Sequence, residues 1–409
     1  MKKILHYFVF LILLSFLLTN QSCDKSDKAD TITFWHFWSE PNQKKALDSI
    51  IQVFEKENHC KVEMTELSWN DGKTKLMAAF NSETAPDVLE LGSDWVAQFS
   101  SAGVLKELNK DSMNFSNFLD FSQAPALWNN NLYAVPWVVD TRVLFYNKDI
   151  LKRAKIEPKV PDSFNEILSQ AAAINSLKDV YAFGANGNDS HRSYKKIVTF
   201  FWSNGGDIFD STGTLVINSP QNIEALSLYV DLARNGFLET QRQIDAAFTQ
   251  GKIAYWISGG WLLDKIKNEN PNLNFGICLI PKVNGKDGIS FAGGEYIAMN
   301  AKSKKYDLSK KFISFLTSGK NAIEFCKKIT EAGFPADKNY YQSPFYLQHP
   351  LRMVFAEQLK SAKMTPVNPK WLDIEQVIED AVVKAVYGEL TPAQALENAQ
   401  NKALLLIRN

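Results

Sequence analysis

Cysteine is scarce in this 409-residue chain, which contains four: Cys23, Cys60, Cys278 and Cys326. Folds that depend on disulfides are far denser in cysteine, and zinc sites place their cysteines a few residues apart. The sequence shows neither pattern, so it lacks a disulfide scaffold and a structural zinc motif. We expect the three cysteines after Cys23 to be small buried side chains, with at most one disulfide among them.

An excess of charge of one sign is also missing, since 45 Lys and Arg residues balance 45 Asp and Glu residues. Without a basic cluster, nucleic acid is not an expected partner. The sequence has no Gly-x-Ser-x-Gly elbow, no phosphate-binding Walker loop and no His-Glu-x-x-His zinc motif. Its five histidines are scattered, without metal-ligand spacing. We therefore predict no enzyme activity, no catalytic residues, no cofactor and no metal site.

Long apolar runs are absent except for Ile4 to Leu18, which follows Lys2 and Lys3. This run is shorter than the ~20 residues that a membrane-spanning helix needs. A basic start and a short apolar run are typical of a secretory signal peptide, which we predict over residues 1–22. The protein is then expected in the cell envelope, outside the cytoplasm.

The junction Ser22-Cys23 resembles the lipobox of bacterial lipoproteins, although Asn20 stands where leucine is usual. The resemblance implies that Cys23 carries a lipid and anchors the protein to a membrane. Residues 23–30 would form a polar tether. The alternative is ordinary signal cleavage, which would leave Cys23 as a free thiol.

After residue 30, strand and helix patterns alternate. The spacing of apolar residues predicts a strand over 31–37, a helix from Pro41, a strand over 62–67, a helix over 73–80 and a strand over 87–91. Asp94 is predicted to cap a helix that begins near Trp95. This βαβαβ order indicates an α/β fold with parallel strands and right-handed crossovers. The chain is long for a single core, so we expect two lobes.

Later segments give weaker but similar signals. Helices are predicted after the caps Ser163, Ser219 and Thr391. Further strands are predicted over 143–146, 254–257, 275–280 and 289–299. Everything after residue 299 is predicted to be helical, including one continuous helix over 345–361.

Tryptophans are the most informative residues, because many of the ten lie at or just beyond predicted strand ends. Ligands of open α/β sheets bind beyond the carboxyl ends of the strands. Carboxylates and amides share those loops, and an aromatic surface ringed by hydrogen-bond acceptors suits a sugar. The predicted ligand-binding residues are Trp38, Ser39, Glu40, Trp69, Asp94, Trp95, Trp137, Asp140, Trp202, Trp261, Gly294, Glu295 and Trp371.

Three alternatives remain open at this point. Any single tryptophan is as readily a core residue as a ligand platform. Paired carboxylates such as Asp94 and Asp140 would also serve a secreted glycoside hydrolase. Tyr340-Tyr341 resembles the adjacent tyrosines of ferric-ion-binding proteins, which would make the chain a metal carrier.

Several stretches carry a resemblance to one family. They are Ala85 to Val88 with Gly92 to Trp95 and Ala102 to Leu105, Ala134 to Trp137 with Asp140-Thr141 and Phe145 to Asp149, Phe248 with Gly251 to Ala254, Ser258 to Trp261, Gly293-Gly294, Gly333 to Ala336, and Gly388 to Leu396. The sequence is similar along nearly its whole length after Cys23 to the family 1 extracellular solute-binding proteins. These are the sugar-binding components of ABC importers, related to maltose-binding protein.

The resemblance implies a periplasmic-binding-protein-like fold. Two α/β lobes would be joined by crossover strands and would trap the ligand in the cleft between them. It places residues 31–137 with 290–330 in lobe 1, residues 141–285 with 336–409 in lobe 2, and 136–141 among the hinge segments. The implied partners are a sugar of oligosaccharide size, the permease subunits of an ABC importer and the membrane that holds the anchor. The protein is expected to be a monomer.

The resemblance also assigns roles to residues. Asp94, Asp140 and Trp261 fall where the maltose-binding relative contacts its sugar, and Ser39 and Glu40 fall at its first contact loop. Trp261 is expected to be the main stacking platform and Asp140 the main polar anchor.

Two departures from the relative bear on the ligand. Leu91 replaces a stacking tryptophan of that relative and Trp95 replaces its arginine, so the sugar is expected to differ from a maltodextrin. The predicted cleft loops hold acids and few basic residues, Arg142 and Arg192 being the nearest, which disfavours a phosphate ester.

Overall fold

The computed structural model describes residues 30–69, 71–341 and 343–408. The predicted signal peptide and Cys23 lie outside the described residues. The strands are β1 Asp30–His36, β2 Cys60–Glu66, β3 Val88–Gly92, β4 Leu127–Trp128, β5 Asn131–Leu132, β6 Ala134–Thr141, β7 Val143–Asn147, β8 Tyr181–Asn186, β9 Phe237–Glu239, β10 Ile253–Ser258, β11 Phe275–Cys278, β12 Ser290–Met299, β13 Phe334–Pro335 and β14 Ala362–Lys363.

Helices connect these strands and follow them. They are α1 Pro41–Asn58, α2 Gly72–Asn81, α3 Val96–Ser101, α4 Asp120–Gln123, α5 Lys148–Arg153, α6 Phe164–Asn175, α7 Ser193–Ser203, α8 Pro220–Arg234, α9 Gln241–Thr249, α10 Trp261–Glu269, α11 Tyr306–Thr317, α12 Gly319–Lys328, α13 Pro344–Leu347, α14 Pro350–Leu359, α15 Trp371–Val386 and α16 Pro392–Arg408.

Two sheets organise the chain, which confirms the predicted α/β class with two lobes. The first has the order β13-β6-β12-β3-β1-β2, with β14 paired to β12. Strand β1 runs parallel to β2 and β3, as the βαβαβ pattern predicts. The second sheet has the order β11-β7-β10-β8-β9, in which β8 runs parallel to β9 and β10. The crossover strand β7 runs antiparallel to β10 and β11, and β6 and β12 run antiparallel to each other.

The chain passes from the first sheet to the second through a single residue. Strand β6 ends at Thr141 and β7 begins at Val143, so Arg142 lies between the two sheets. The return path runs from β11 in the second sheet to β12 in the first. Gly294 allows β12 to lie close to β6, because a Cβ there would stand 2.5 Å from the carbonyl oxygen of Val138. The exact lobe boundaries stay a prediction.

Local capping signals are confirmed at three helix starts. Ser163 accepts a hydrogen bond from the Glu166 N–H at 3.1 Å, and Ser219 accepts one from the Asn222 N–H. Thr391 and Gln394 satisfy each other's backbone N–H groups, as a capping box does. A cap satisfies N–H groups of the helix's own first turn, which is why these starts are visible in the sequence.

The region after residue 299 differs from its all-helical prediction. Strand β13 pairs with β6 and β14 pairs with β12, but two-residue strands are too short to show a periodic pattern. The predicted continuous helix over 345–361 is two helices, α13 and α14. The second helix begins at Pro350. A proline ring disfavours helical geometry in the residue before it, so the first helix cannot continue through His349.

Burial agrees with the expectations for cysteine. Cys60, Cys278 and Cys326 are free and buried, so they behave as small apolar side chains. Within the described ranges, no helix is both long enough and apolar enough to cross a membrane.

Candidate functional site

A cavity of about 320 Å³ lies between the two sheets. Its first wall is built from loops that follow β1 and β3 and from β12, and its second wall from the start of α7, Gln241 and Trp261. Ten of the predicted ligand-binding residues line it: Trp38, Ser39, Glu40, Trp69, Asp94, Trp95, Asp140, Trp261, Gly294 and Glu295. The rule that ligands collect beyond strand ends therefore locates this cavity.

Three predicted site residues do not line the cavity, and the structure corrects their placement to the core. Trp137 is fully buried in β6 and stacks on Phe325, with ring centroids 4.8 Å apart. Trp202 lies in α7, where its indole N–H donates to Asp207 at 2.9 Å. Trp371 begins α15 and is 1% exposed. Position along the chain does not reveal which way a side chain points, so Trp137 beside a predicted strand looked like the tryptophans that do line the cavity.

Three aromatic rings form a wall on the first-sheet side. Phe37 stacks on Trp69 with ring centroids 4.1 Å apart, and Trp95 meets Trp69 edge-on at 5.6 Å. Phe37 and Trp95 are buried, whereas Trp69 is 37% exposed. Since Phe37 covers one face of Trp69, the exposed part of the indole is turned toward the cavity that Trp69 lines. This wall presents an open aromatic surface to a ligand.

Trp261, the residue expected to be the main stacking platform, is held differently. The guanidinium of Arg142 lies 4.8 Å from the centre of the Trp261 ring and 5.2 Å from that of Phe291. Gly259 makes room for the indole itself, because a Cβ there would lie 2.0 Å from the Trp261 ring. The Arg142 guanidinium therefore covers part of the Trp261 ring. Trp69 is the more exposed of the two rings.

Asp140, the expected polar anchor, is also engaged by Arg142. The two side chains form an ion pair, and the Asp140 carboxylate is the less buried partner. A ligand that reaches Asp140 meets the Arg142 guanidinium beside it. The anchoring role of Asp140 stays a prediction, and the structure makes it a joint site with Arg142.

A buried carboxylate fixes the orientation of Trp261. Asp245 in α9 accepts hydrogen bonds from the indole N–H of Trp261 at 2.9 Å, from that of Trp256 at 2.7 Å and from the Ser258 hydroxyl at 3.0 Å. Asp245 is only 5% exposed. Three donors on one carboxylate hold β10 and the start of α10 together. Asp245 is a positioning residue that the sequence analysis did not single out.

Asp94 connects the two walls instead of capping a helix. The helix that follows it begins at Val96 with Trp95 at the N-cap position, so the predicted capping role of Asp94 is wrong. The Tyr194 hydroxyl, at the start of α7, donates to the Asp94 carboxylate at 2.9 Å. Burial raises the pKa of Tyr194 well above its usual value, so the hydroxyl remains a donor at neutral pH. This hydrogen bond closes one side of the cleft.

Two carboxyl groups lie on the adjacent strands β3 and β12, and one of them lines the cavity. Glu90 in β3 accepts the Phe37 N–H at 2.9 Å, and burial raises the pKa of Glu90 to about 8. Burial, followed by the charge of Glu90, raises the pKa of Glu295 well above its usual value. Glu295 lines the cavity. The shift favours the protonated carboxyl, a form that can donate a hydrogen bond to a ligand.

His36 supplies a pH test of this buried region. Burial lowers the pKa of His36 from 6.5 to about 4, so the folded state resists a proton that the unfolded state accepts. Stability that is present above pH 6.5 is lost as the pH falls toward 4, by about 2 kcal/mol between pH 7 and pH 5. His36→Gln keeps an acceptor for the Trp38 N–H, which His36 Nδ1 accepts at 3.3 Å. In urea titrations at the two pH values, the parent should lose about 2 kcal/mol more than the variant. Equal losses would contradict the role given to His36.

The cavity also contains residues that the sequence analysis did not predict. Besides aromatic and neutral residues, the second wall presents the basic side chains of Arg142, Arg192 and Lys195. Arg142 and Arg192, which the sequence analysis named as the nearest basic residues, line the cavity, and Lys195 is the one it did not name. Arg142 is adjacent to a predicted crossover, but Arg192 and Lys195 precede and begin a helix that the sequence analysis did not identify.

The metal-carrier alternative gains no support. In the described part of the chain, no cluster of three or more His, Cys, Asp or Glu side chains is placed to hold a metal ion. The hydroxyl of Tyr341 donates to the carbonyl oxygen of Ala356, which gives Tyr341 a packing role.

Two sheets joined by crossover strands, with a lined cleft between them, define a two-lobed solute-binding protein. The family model described as bacterial extracellular solute-binding protein matches residues 49–354. This match spans well over half of the chain, so the chain belongs to that family. Membership places the protein outside the cytoplasm, as the sequence predicts.

Relatives of known name are similar along most of their length. The galactooligosaccharide-binding protein of Bacillus subtilis is 26% identical over 381 residues, which cover 90% of this chain and 87% of that protein. The maltodextrin-binding protein MdxE of the same organism is 25% identical and covers 88% of this chain and 87% of its own. Among solved structures, the GacH receptor of Streptomyces glaucescens, determined unliganded and with acarbose, has a TM-score of 0.84 at 24% identity. It covers 93% of this chain and 99% of that chain. This last likeness is one of fold.

Proposed function

We propose that this protein binds an oligosaccharide outside the cytoplasmic membrane and delivers it to an ABC importer. The observation that carries the proposal is the aromatic wall of Phe37, Trp69 and Trp95, which faces hydrogen-bonding groups across a cleft. Indole faces pack against the C–H faces of sugar rings, and the surrounding carboxyl and amide groups suit hydroxyls. Relatives named for galactooligosaccharide and maltodextrin binding support the same class of solute.

The size of the site favours more than one sugar unit. An open groove of about 1050 Å³ adjoins the cavity and shares Glu40, Trp261 and Glu331 with it. A chain of sugar units that begins at the aromatic wall has room to continue past Trp261 into this groove. We propose that the lobes, assigned as 31–137 with 290–330 and 141–285 with 336–409, close about hinge segments that include 136–141.

The glycoside hydrolase alternative has less support from the same residues. Asp94 accepts a hydrogen bond from Tyr194 and Asp140 is paired with Arg142, so both carboxylates are already engaged within the protein. A hydrolase of this type needs one of its two carboxyl groups protonated to act as an acid. The family consists of binding proteins, which agrees with a role in capture without conversion.

A thermal-shift screen over mono- and oligosaccharides tests the proposed function. A ligand at 100 times its dissociation constant stabilises the folded state by about 2.7 kcal/mol, which we expect to raise Tm by about 5 °C. Chromatography after long incubation should recover the stabilising saccharide intact. Stabilisation by no saccharide would reject the proposal, and recovery of cleaved saccharide would favour the hydrolase instead.

We also propose that Cys23 carries a lipid that anchors the protein to a membrane. We propose further that the protein acts as a monomer. The support is the apolar run that ends at Ser22-Cys23 and the polar residues behind it. Mass spectrometry of the mature N-terminus should find an acylated Cys23, and Cys23→Ser should move the protein from the membrane fraction to the soluble fraction. A mature terminus at another residue would contradict the assignment.

A further inference from the structure

Lys195 stands out among the charged residues of the cleft. Its ammonium group lies 5.3 Å from the ring centre of Phe291 and 5.6 Å from that of Tyr194, and Lys195 lines the cavity. Within the residues that the structure describes, no carboxylate lies at ion-pair distance from it. A half-buried ammonium on an aromatic surface, without a paired anion, is arranged to receive one from a ligand.

Arg142 contributes a second donor without an acceptor to the same cavity. One nitrogen of its guanidinium is paired with Asp140, and the guanidinium lies near the rings of Trp261 and Phe291. Arg142 is only 5% exposed, yet its Nε has no hydrogen-bond partner in the described part of the chain. Leaving a charged donor buried and unpaired is costly, so the site is complete only when an acceptor arrives.

Two carboxylates of the cavity are already engaged by other groups. Asp94 accepts from Tyr194 and Asp140 is paired with Arg142. Burial raises the pKa values of Glu295 and Glu331, and Glu331 also accepts from Gln43. Only Glu40, at the rim, is an exposed carboxylate. The carboxylates Asp94 and Asp140 are therefore engaged by other donors, whereas Lys195 has no ion-pair partner among the described residues.

We propose that the solute is an acidic saccharide whose carboxylate or sulfate ester binds between Lys195 and the Nε edge of Arg142. The inference rests on the proposed saccharide-binding function and specifies the class of saccharide. A guanidinium edge and an ammonium together supply directed donors and a point charge to an anionic oxygen group. The uncharged remainder of the ligand would pack against the aromatic wall.

Matched ligands separate this inference from the function on which it rests. The probes are uronic-acid oligosaccharides and sulfated oligosaccharides, each paired with the same material after carboxyl reduction or desulfation. We expect an acidic member to raise Tm and its neutral counterpart to do so far less, and the two ligand sets identify carboxylate or sulfate as the group recognised. A neutral saccharide that binds as tightly as its acidic parent would overturn the inference and leave the proposed function standing. If neither member of any pair binds, the inference falls, and the wider saccharide screen decides the proposed function by itself.

A matched pair of lysine variants tests the residue itself. Lys195→Met removes the charge and keeps much of the side-chain length, and Lys178→Met does the same at an exposed lysine outside the cavity. Calorimetric titration should show the dissociation constant for the acidic saccharide rising about 10- to 100-fold in the first variant alone. Raising NaCl from 50 to 500 mM should weaken the parent more than Lys195→Met. An unchanged affinity and salt dependence in Lys195→Met would refute the assignment, provided that its Tm matches the parent's.

Discussion

Trp69→Ala is expected to weaken saccharide binding by about 30-fold or more. Trp69 is the exposed member of the aromatic wall, and Phe37 beneath it holds the ring in place. Truncating a central aromatic contact of this kind costs about 2 kcal/mol or more, which corresponds to about 30-fold in Kd. Calorimetric titration with a saccharide found in the thermal-shift screen measures the change.

Tyr306→Ala is the matched control for this variant. Tyr306 is 38% exposed against 37% for Trp69, and it does not line the cavity. We expect Tyr306→Ala to bind like the parent, so that loss of an exposed ring as such is not the cause. An unchanged Kd in Trp69→Ala would show that the ligand does not stack on this wall and would move the site toward Trp261.

Asp245→Ala should have the largest effect on stability, lowering the free energy of unfolding by about 3 kcal/mol or more. The substitution leaves the indole N–H groups of Trp256 and Trp261 and the Ser258 hydroxyl without their acceptor. Each orphaned buried donor costs about 1–3 kcal/mol, reduced where water enters the space that is left. Urea titration followed by far-UV circular dichroism measures the loss.

Asp231→Ala provides the comparison, because Asp231 is an exposed acid in α8 whose partner is Arg234. Exposed ion pairs contribute little, so this variant should remain within about 0.5 kcal/mol of the parent. Asp245→Asn keeps one acceptor oxygen and should lie between the two. If Asp245→Ala unfolds at the same urea concentration as the parent, the three hydrogen bonds are not a support for Trp261.

Local interactions explain which structural elements can be predicted from the sequence. The caps at Ser163, Ser219 and Thr391 act within their own helix turns, and β1 and β2 follow a two-residue period, so both are visible in a short window of sequence. Two-residue strands such as β13 have no period to detect, and they form only because β6 is present beside them. The helix that carries Lys195 was missed for a related reason: all but one of the residues of α7 are buried, so its polar and apolar faces are not distinguished.

By itself the sequence determined the α/β class, the strand ends at which the cleft forms, and ten of the residues that line it. It did so because secondary structure follows periodicity, and because strand ends of one sheet share an edge. Only the tertiary structure decided which indoles are open. The sequence places both Trp137 and Trp69 beside predicted strands, yet Trp137 lies inside β6 packed on Phe325 and Trp69 is exposed at the cavity. Arg142 lies close to Asp140 in sequence, but Trp261 and Phe291 are more than a hundred residues away. Their rings reach Arg142 only because the chain folds back, and no local sequence pattern encodes that contact.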